Sequence, residues 1–292
     1  MLQSVSGPLF DLPESIADAL AFPGPAETST IEAAGIAFYV RSWGEESATP
    51  LLMLHGVMSS SLGWWRLGPA LAAARFRVHA PDMPGHGGTG SWRGRWRFRD
   101  TARELVALVD GLRVSRDELR LVGHSWGAMT AAAFPAVGLA PARLILVDPP
   151  VLPVGDLAAV TRDPIEHRYE AYVEALAAMG GANPTWAFAD VAAKAEALTQ
   201  LDDAAVRDVL LANGDYDGGY AELADPSAAS VDRWLIRSDP TAGGLVSDEA
   251  AARFAALLGS DRVITIPRAS HSPHRTHPAE TVAAILPALG AT

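Results

Sequence analysis

The chain has 292 residues, 49% of them hydrophobic and 20% charged, with a formal net charge of −11. This is the composition of a packed globular protein that can bury a large core without cross-links. No cysteine is present, which excludes disulfides, thiolate metal sites and a cysteine nucleophile and fits a reducing compartment. The acidic balance argues against nucleic acid or an anionic membrane as the main partner.

The N-terminal stretch, Met1–Phe22, lacks a basic n-region and places Asp11, Glu14 and Asp18 among its apolar residues, so it does not read as a signal peptide. A short amphipathic helix is expected over Glu14–Ala21, then a Pro/Gly linker, Phe22–Pro25. No apolar run approaches the roughly 20 residues of a membrane span, and a cytoplasmic protein, monomeric or homodimeric, is the expectation.

Short apolar runs then alternate with helical patterns. The runs are Ile36–Ser42, Leu51–His55, Phe76–Ala80, Leu119–Gly123, Leu144–Asp148, Trp234–Arg237 and Val263–Pro267, most of them closed by Gly, Pro or Asp. Helical periodicity covers Trp65–Ala74, Thr101–Leu112, Ala128–Val137, Asp248–Leu258 and Pro278–Leu289. Thr101 with Glu104 three residues on reads as a capping box, and Ser247 before Asp248-Glu249 as a helix start. Alternation of this kind predicts an α/β fold, a doubly wound, mostly parallel sheet.

From about Val151 to Ala229 no convincing strand appears, only helical patterns over His167–Met179 and Val191–Leu211. The expected organisation is therefore a core of residues 1–150 and 231–292, with 1–30 as an extension and 151–230 as an inserted helical cap. Lys194, inside that insertion, is the only lysine. Arginine carries almost all the remaining positive charge, which reads as a compositional bias.

Leu121-Val122-Gly123-His124-Ser125-Trp126-Gly127 is a strand entering Gly-x-Ser-x-Gly and then the small residues of a helix. This is a nucleophile elbow, whose tight turn lifts the Ser125 hydroxyl clear of the sheet; side chains at the glycines would strike the neighbouring strand and helix. Acyl transfer needs two backbone N–H groups at the developing oxyanion. Trp126, next to the nucleophile, supplies one, and Val57 in Leu54-His55-Gly56-Val57-Met58 is the candidate for the other. His55, Met58, Trp64 and Trp65 follow or border this loop, where they either line the acyl pocket or pack the next helix.

With His55-Gly56, Asp82-Met83-Pro84-Gly85-His86-Gly87, the elbow at Ser125 and Ala269-Ser270-His271, the chain resembles the α/β-hydrolase family over roughly residues 35–290. The family usually has glycine where Ser270 stands. The resemblance implies a triad in the order Ser, acid, His, with His271 as general base. It implies two places for the acid: Asp148, after the strand that follows the elbow, and Asp239, after the next core strand. It also implies that the Asp82–Gly87 turn shapes the pocket rim.

Gly85-x-Gly87-x-x-Gly90 matches a dinucleotide fingerprint but is followed by Trp92-Arg93-Gly94-Arg95-Trp96 rather than an apolar helix start. His271, His274 and His277 are closely spaced, but Pro273 interrupts them and no carboxylate cluster accompanies them, so no metal is expected. The basic, aromatic run Trp92–Arg99 reads as a solvated edge. Trp186, Phe188 and Tyr216 read as packing within the cap. The expected protein is a cofactor-free serine hydrolase that cleaves a small, hydrophobic, uncharged carboxylic ester or lactone through an acyl-enzyme. Amidase, C–C hydrolase, lyase or perhydrolase chemistry is the alternative, as is a slow-turnover ligand sensor. Ser125 speaks against dehalogenase and epoxide hydrolase chemistry, which needs a carboxylate nucleophile.

Overall fold

Leu51-Leu52-Met53-Leu54 is buried along its whole length, as a strand must be when helices cover both faces of its sheet. The computed structural model describes residues 3–4, 12–90, 94 and 96–291. Its strands in chain order are β1 (Gln3–Ser4), β2 (Glu27–Ala33), β3 (Ile36–Trp43), β4 (Thr49–Leu54), β5 (Phe76–Pro81), β6 (Arg120–His124), β7 (Arg143–Val147), β8 (Val151–Leu152), β9 (Tyr216–Asp217), β10 (Asp232–Ser238) and β11 (Val263–Ile266). Its helices are α1 (Glu14–Ala21), α2 (Leu67–Ala73), α3 (Phe98–Leu112), α4 (Trp126–Ala132), α5 (Val154–Val160), α6 (Tyr172–Ala182), α7 (Phe188–Thr199), α8 (Asp203–Leu211), α9 (Tyr220–Ala224), α10 (Asp248–Leu258), α11 (Pro273–Thr276) and α12 (Pro278–Leu289).

Nine strands form one sheet in the order β1-β11-β10-β7-β6-β4-β5-β3-β2. All pairings are parallel except β2 with β3 and β3 with β5. On one face Leu105 and Leu108 of α3, Ala128 and Ala131 of α4 and Phe254 of α10 pack against Leu52, Leu54, Leu121 and Leu144. On the other, Ile16 of α1, Leu67 and Leu71 of α2 and Val282 and Ile285 of α12 cover Leu51, Met53, Val122 and Ile145. The predicted doubly wound sheet is therefore the observed one. The alternation of even and odd residues between these two clusters is the period-two geometry of a strand.

Three details differ from the sequence reading. The edge strand β2, ETSTIEA, is mostly exposed and carries no buried face that could have announced it. Helix α3 starts at Phe98, one turn before the supposed capping box. The Phe98 N–H is taken up by Asn213 Oδ1 at 3.1 Å, leaving Thr101 inside the helix with its hydroxyl unpartnered. Finally, the stretch between β7 and β10 contains strands as well as helices: β8 and β9 pair antiparallel, Val151 with Asp217 and Leu152 with Tyr216. Of the Trp92–Arg99 run, Trp92, Arg93 and Arg95 lie outside the described residues.

Helices α5 to α9 lie in that stretch. A third apolar cluster, with Leu157, Met179, Val191, Leu198, Leu210 and Tyr216, joins it to Met58 after β4 and Met129 of α4. It is therefore seated over the carboxyl ends of the central strands. Among the described residues, no helix is long and apolar enough to cross a membrane.

Candidate active site

The β6–α4 junction turns so sharply that Ser125 adopts φ 54°, ψ −122°, a region L-residues enter at a cost of about 1–3 kcal/mol. Its backbone is held by Ser125 N–H donating to Val147 O at 3.0 Å. The two flanking glycines are imposed by contact distance. A Cβ on Gly123 would stand 2.3 Å from Gly127 O, and one on Gly127 would stand 2.4 Å from Leu54 O. The serine hydroxyl is thereby presented at the carboxyl edge of the sheet.

Ser125 Oγ lies 3.0 Å from His271 Nε2, and His271 Nδ1 lies 2.8 Å from Asp148 Oδ2. His271 arrives from the loop after β11, and Asp148 directly follows β7. Asp148 is wholly buried. It also accepts from the N–H groups of Ser238 and Leu245, both at 3.0 Å, so its carboxylate is fixed between β7 and the end of β10. Asp239, the competing candidate, does not reach the imidazole. Its carboxylate accepts from the N–H and hydroxyl of Thr241 and from Arg268 N–H, capping the short turn at Pro240–Ala242.

Val57 N–H bonds to no described residue, and Trp126 heads α4, where an N–H has no intrahelical partner. Both residues line the same cavity as Ser125. The Val57 loop is braced from behind. His86 Nε2 accepts from Met58 N–H at 3.2 Å, His55 Nε2 accepts from Met83 N–H at 2.9 Å, and Asp82 Oδ1 accepts from Ser61 N–H at 2.6 Å. Each imidazole donates its other N–H to a carbonyl, Pro84 O for His86 and Gly56 O for His55. Burial lowers His55 to about 4 and His86 to about 3, so both stay neutral, as this donor-and-acceptor arrangement requires. The Asp82–Gly87 turn, expected at the pocket rim, lines none of the cavity and is instead this brace.

The cavity at Ser125 has a volume of about 330 Å³. Of the expected wall residues, Met58 lines it; His55, Trp64 and Trp65 do not. Trp64 packs on His274 with ring centres 4.9 Å apart, and Trp65 Nε1 donates to Asp190 Oδ1 at 2.8 Å. Trp186 and Tyr216, read as packing residues, both line the cavity, while Phe188 is exposed.

Several site residues escaped the sequence reading. His124, the variable position of the motif, donates from Nε2 to His271 O at 2.7 Å and thereby ties the His271 loop to the elbow. Burial, reinforced by the charges around it, holds it far below the usual histidine range. Lys194 is not a bystander of composition: it is buried, and its Nζ donates to Met58 O at 2.9 Å and to Glu166 Oε2 at 2.7 Å. Burial is the largest influence on Glu166 and works to raise it, but the charge and hydrogen bond of Lys194 together with the charge of Arg275 outweigh it and leave the carboxyl below its ordinary value. Arg275 lines the same cavity, close enough for its charge to act on Lys194. A lone lysine in an arginine-rich chain was the one available signal for this group.

A profile of the alpha/beta hydrolase family matches residues 51–285. Among curated relatives, the dihydrolipoyllysine-residue acetyltransferase component of the acetoin cleaving system of Pseudomonas putida is 38% identical over 101 residues, 35% of this chain and 26% of that protein. An epoxide hydrolase of Caballeronia sordidicola is 35% identical over 99 residues, 33% of this chain and 29% of that protein. The matches thus span about a quarter to a third of the length of these relatives. Among solved structures, E-2-(acetamidomethylene)succinate hydrolase superposes with a TM-score of 0.74 at 22% identity, covering 91% of this chain and 100% of that one. An esterase from Rhodococcus sp. gives a TM-score of 0.70 at 19% identity, covering 91% and 99%. The structural likenesses bear on the fold alone. The profile runs from β4 through most of α12, and on that match the chain belongs to the alpha/beta hydrolase family.

Proposed function

We propose that the protein is a serine hydrolase that cleaves a carboxylic ester or lactone through an acyl-enzyme. The observation that carries this reading is the hydrogen-bonded series Ser125 Oγ, His271 Nε2, His271 Nδ1, Asp148 Oδ2, with contacts of 3.0 and 2.8 Å. Asp148, an acceptor, keeps the proton of a neutral His271 on Nδ1, leaving the Nε2 lone pair facing the serine hydroxyl. Ser125 Oγ attacks the carbonyl carbon as its proton passes to Nε2, and the oxyanion forms between the N–H groups of Val57 and Trp126. The imidazolium then protonates the leaving alkoxide. Water, activated by the same nitrogen, releases the acid. General-base help and oxyanion donors are each worth roughly 10²–10⁴ in rate.

Epoxide hydrolases are among the relatives, but a serine attacking an epoxide carbon would form an ether, which water does not cleave under these conditions. A carbonyl substrate gives a hydrolysable ester. Residues 151–230 are read as a cap that closes the cavity from above, on the strength of the apolar cluster joining them to Met58 and Met129.

The test is a fluorophosphonate adduct located by mass spectrometry, together with turnover of p-nitrophenyl esters. Labelling on Ser125 and a fall in turnover of at least about 10³-fold in Ser125→Ala are expected. A burst followed by almost no steady state would assign a slow-turnover receptor instead. No adduct at Ser125 would overturn the reading.

A further inference from the structure

We propose that the end of the cavity walled by Arg275 and Lys194 holds a carboxylate of the substrate, so that the ester cleaved at Ser125 is anionic. This rests on the acyl-transfer reading above and replaces the uncharged substrate expected from the sequence. The starting point is a pair of buried cations. Lys194 is 4% and Arg275 6% exposed, and burying a cation is costly unless it is paired. Lys194 is paired, with Glu166 Oε2 at 2.7 Å. Asp163 also acts on Lys194, and its carboxylate accepts from the N–H groups of Ile165 and Glu166. Asp190 accepts from Trp65 Nε1 at 2.8 Å, faces Arg66 Nη2 at 3.5 Å and feels the charge of Arg275 from beyond ion-pair distance.

Among the described residues no carboxylate stands within ion-pair distance of the Arg275 guanidinium. Of its donors, Nη2 bonds Ser59 Oγ at 3.2 Å, while Nε is buried without a partner. The plane lies over the Trp186 ring at 4.6 Å, which fixes its orientation without neutralising it. Burial opposes its charge, yet a guanidinium stays protonated in a protein. Its guanidinium is therefore a buried cation without an ion pair, acted on by Asp190 and Glu166 only from a longer distance. A carboxylate from the substrate would balance it and offer a planar acceptor for a planar fork. Ser59 and Trp186, which touch this guanidinium, line the same cavity, as do Asn183 and Lys194. Arg275 follows His271 by four residues, so their Cα atoms are at most about 15 Å apart, and one small molecule can span from the carbonyl at Ser125 to the guanidinium.

The experiment compares charged substrates with neutral counterparts. Monomethyl succinate, glutarate and adipate are set against the corresponding dimethyl esters, and 4-carboxyphenyl acetate against 4-carbamoylphenyl acetate. In the native protein kcat/KM for at least one anionic member is expected to exceed that of its counterpart about tenfold or more. The best chain length then reads the span, and the second pair tells the alcohol side from the acyl side. In Arg275→Met that ratio should fall to about one, chiefly through KM, and Arg275→Lys should restore part of it. Because the readout is a ratio within each variant, general damage to folding cancels. Calorimetry on Ser125→Ala with glutarate and with glutaramide reads the same site without catalysis, and binding of the dianion should be lost in the double variant with Arg275→Met. Ratios at or below one for every pair, with no preference for glutarate over glutaramide, would overturn the proposal. Rapid turnover of neutral esters under those conditions would leave the serine-hydrolase reading intact. If no ester is cleaved, that reading fails and calorimetry alone decides the carboxylate site.

Discussion

At the scale of single residues, the two aspartates separate by what surrounds them. Asp148 is buried against the imidazole, whereas Asp239 serves a surface turn. Asp148→Asn should cut kcat by roughly 10³–10⁴-fold, since an amide can reverse the imidazole tautomer. Asp239→Asn should stay within a few-fold, and steady-state kinetics on one ester measure both. If the two losses are equal, Asp148 is not the partner of the base. His124 is a positioning residue, acting through the carbonyl of His271. His124→Phe is expected to lower kcat about tenfold with little change in KM, and to slow phosphonate labelling by the same factor. His124→Gln, which keeps a donor, should recover part of the loss; equal loss in both would point to packing alone. That Ser125, His271, Val57 and Trp126 would stand around one cavity was legible because each lies at a fixed offset from a strand end. Arg275 and Glu166 were not, since their meaning comes from partners far away in the chain.

Elements show the same division. The central strands announced themselves because burial on both faces demands continuous apolar runs, while β2 is a polar edge whose place depends on β3 beside it. The capping pair at Thr101 and Glu104 was a correct local signal overridden by a tertiary one, the Asn213 side chain that starts α3 a turn earlier. Docking of α7 on the core uses Trp65 Nε1 and Asp190 Oδ1. Trp65→Phe leaves a buried carboxylate short of one donor, an expected cost of about 1–3 kcal/mol. Urea denaturation measures the cost. Hydrogen exchange should quicken in 188–199 before it does in the central strands; unchanged protection there would place the anchor elsewhere.

For the molecule as a whole, the neutral buried histidines make stability depend on pH. His55 stands at about 4 and His86 at about 3, against about 6.5 when unfolded. Their folded values are depressed, so the unfolded chain binds protons first. The stability they confer is complete above about pH 6.5 and is lost progressively as the pH falls toward 4 and 3. His55 should account for roughly 3 kcal/mol and His86 for roughly 5 kcal/mol across that window. The urea midpoint is therefore expected to begin dropping near pH 6, above the carboxylate range; a flat profile down to pH 4.5 would contradict it. The outline of the molecule could be read from its periodicities and its motifs. The burial and the backbone N–H donors that keep these imidazoles neutral could not, because a histidine's protonation depends on which groups fold around it.

The pairing of Val151 with Asp217 and of Leu152 with Tyr216 brings both ends of the 151–217 stretch to one spot beside Asp148. Everything between those four residues leaves and rejoins the sheet through a single narrow neck. Such a neck would let the cavity wall drawn from this stretch, Lys194, Asn183 and Trp186 included, vary with few changes below it. The serine, the imidazole and the buried carboxylate below would not have to move.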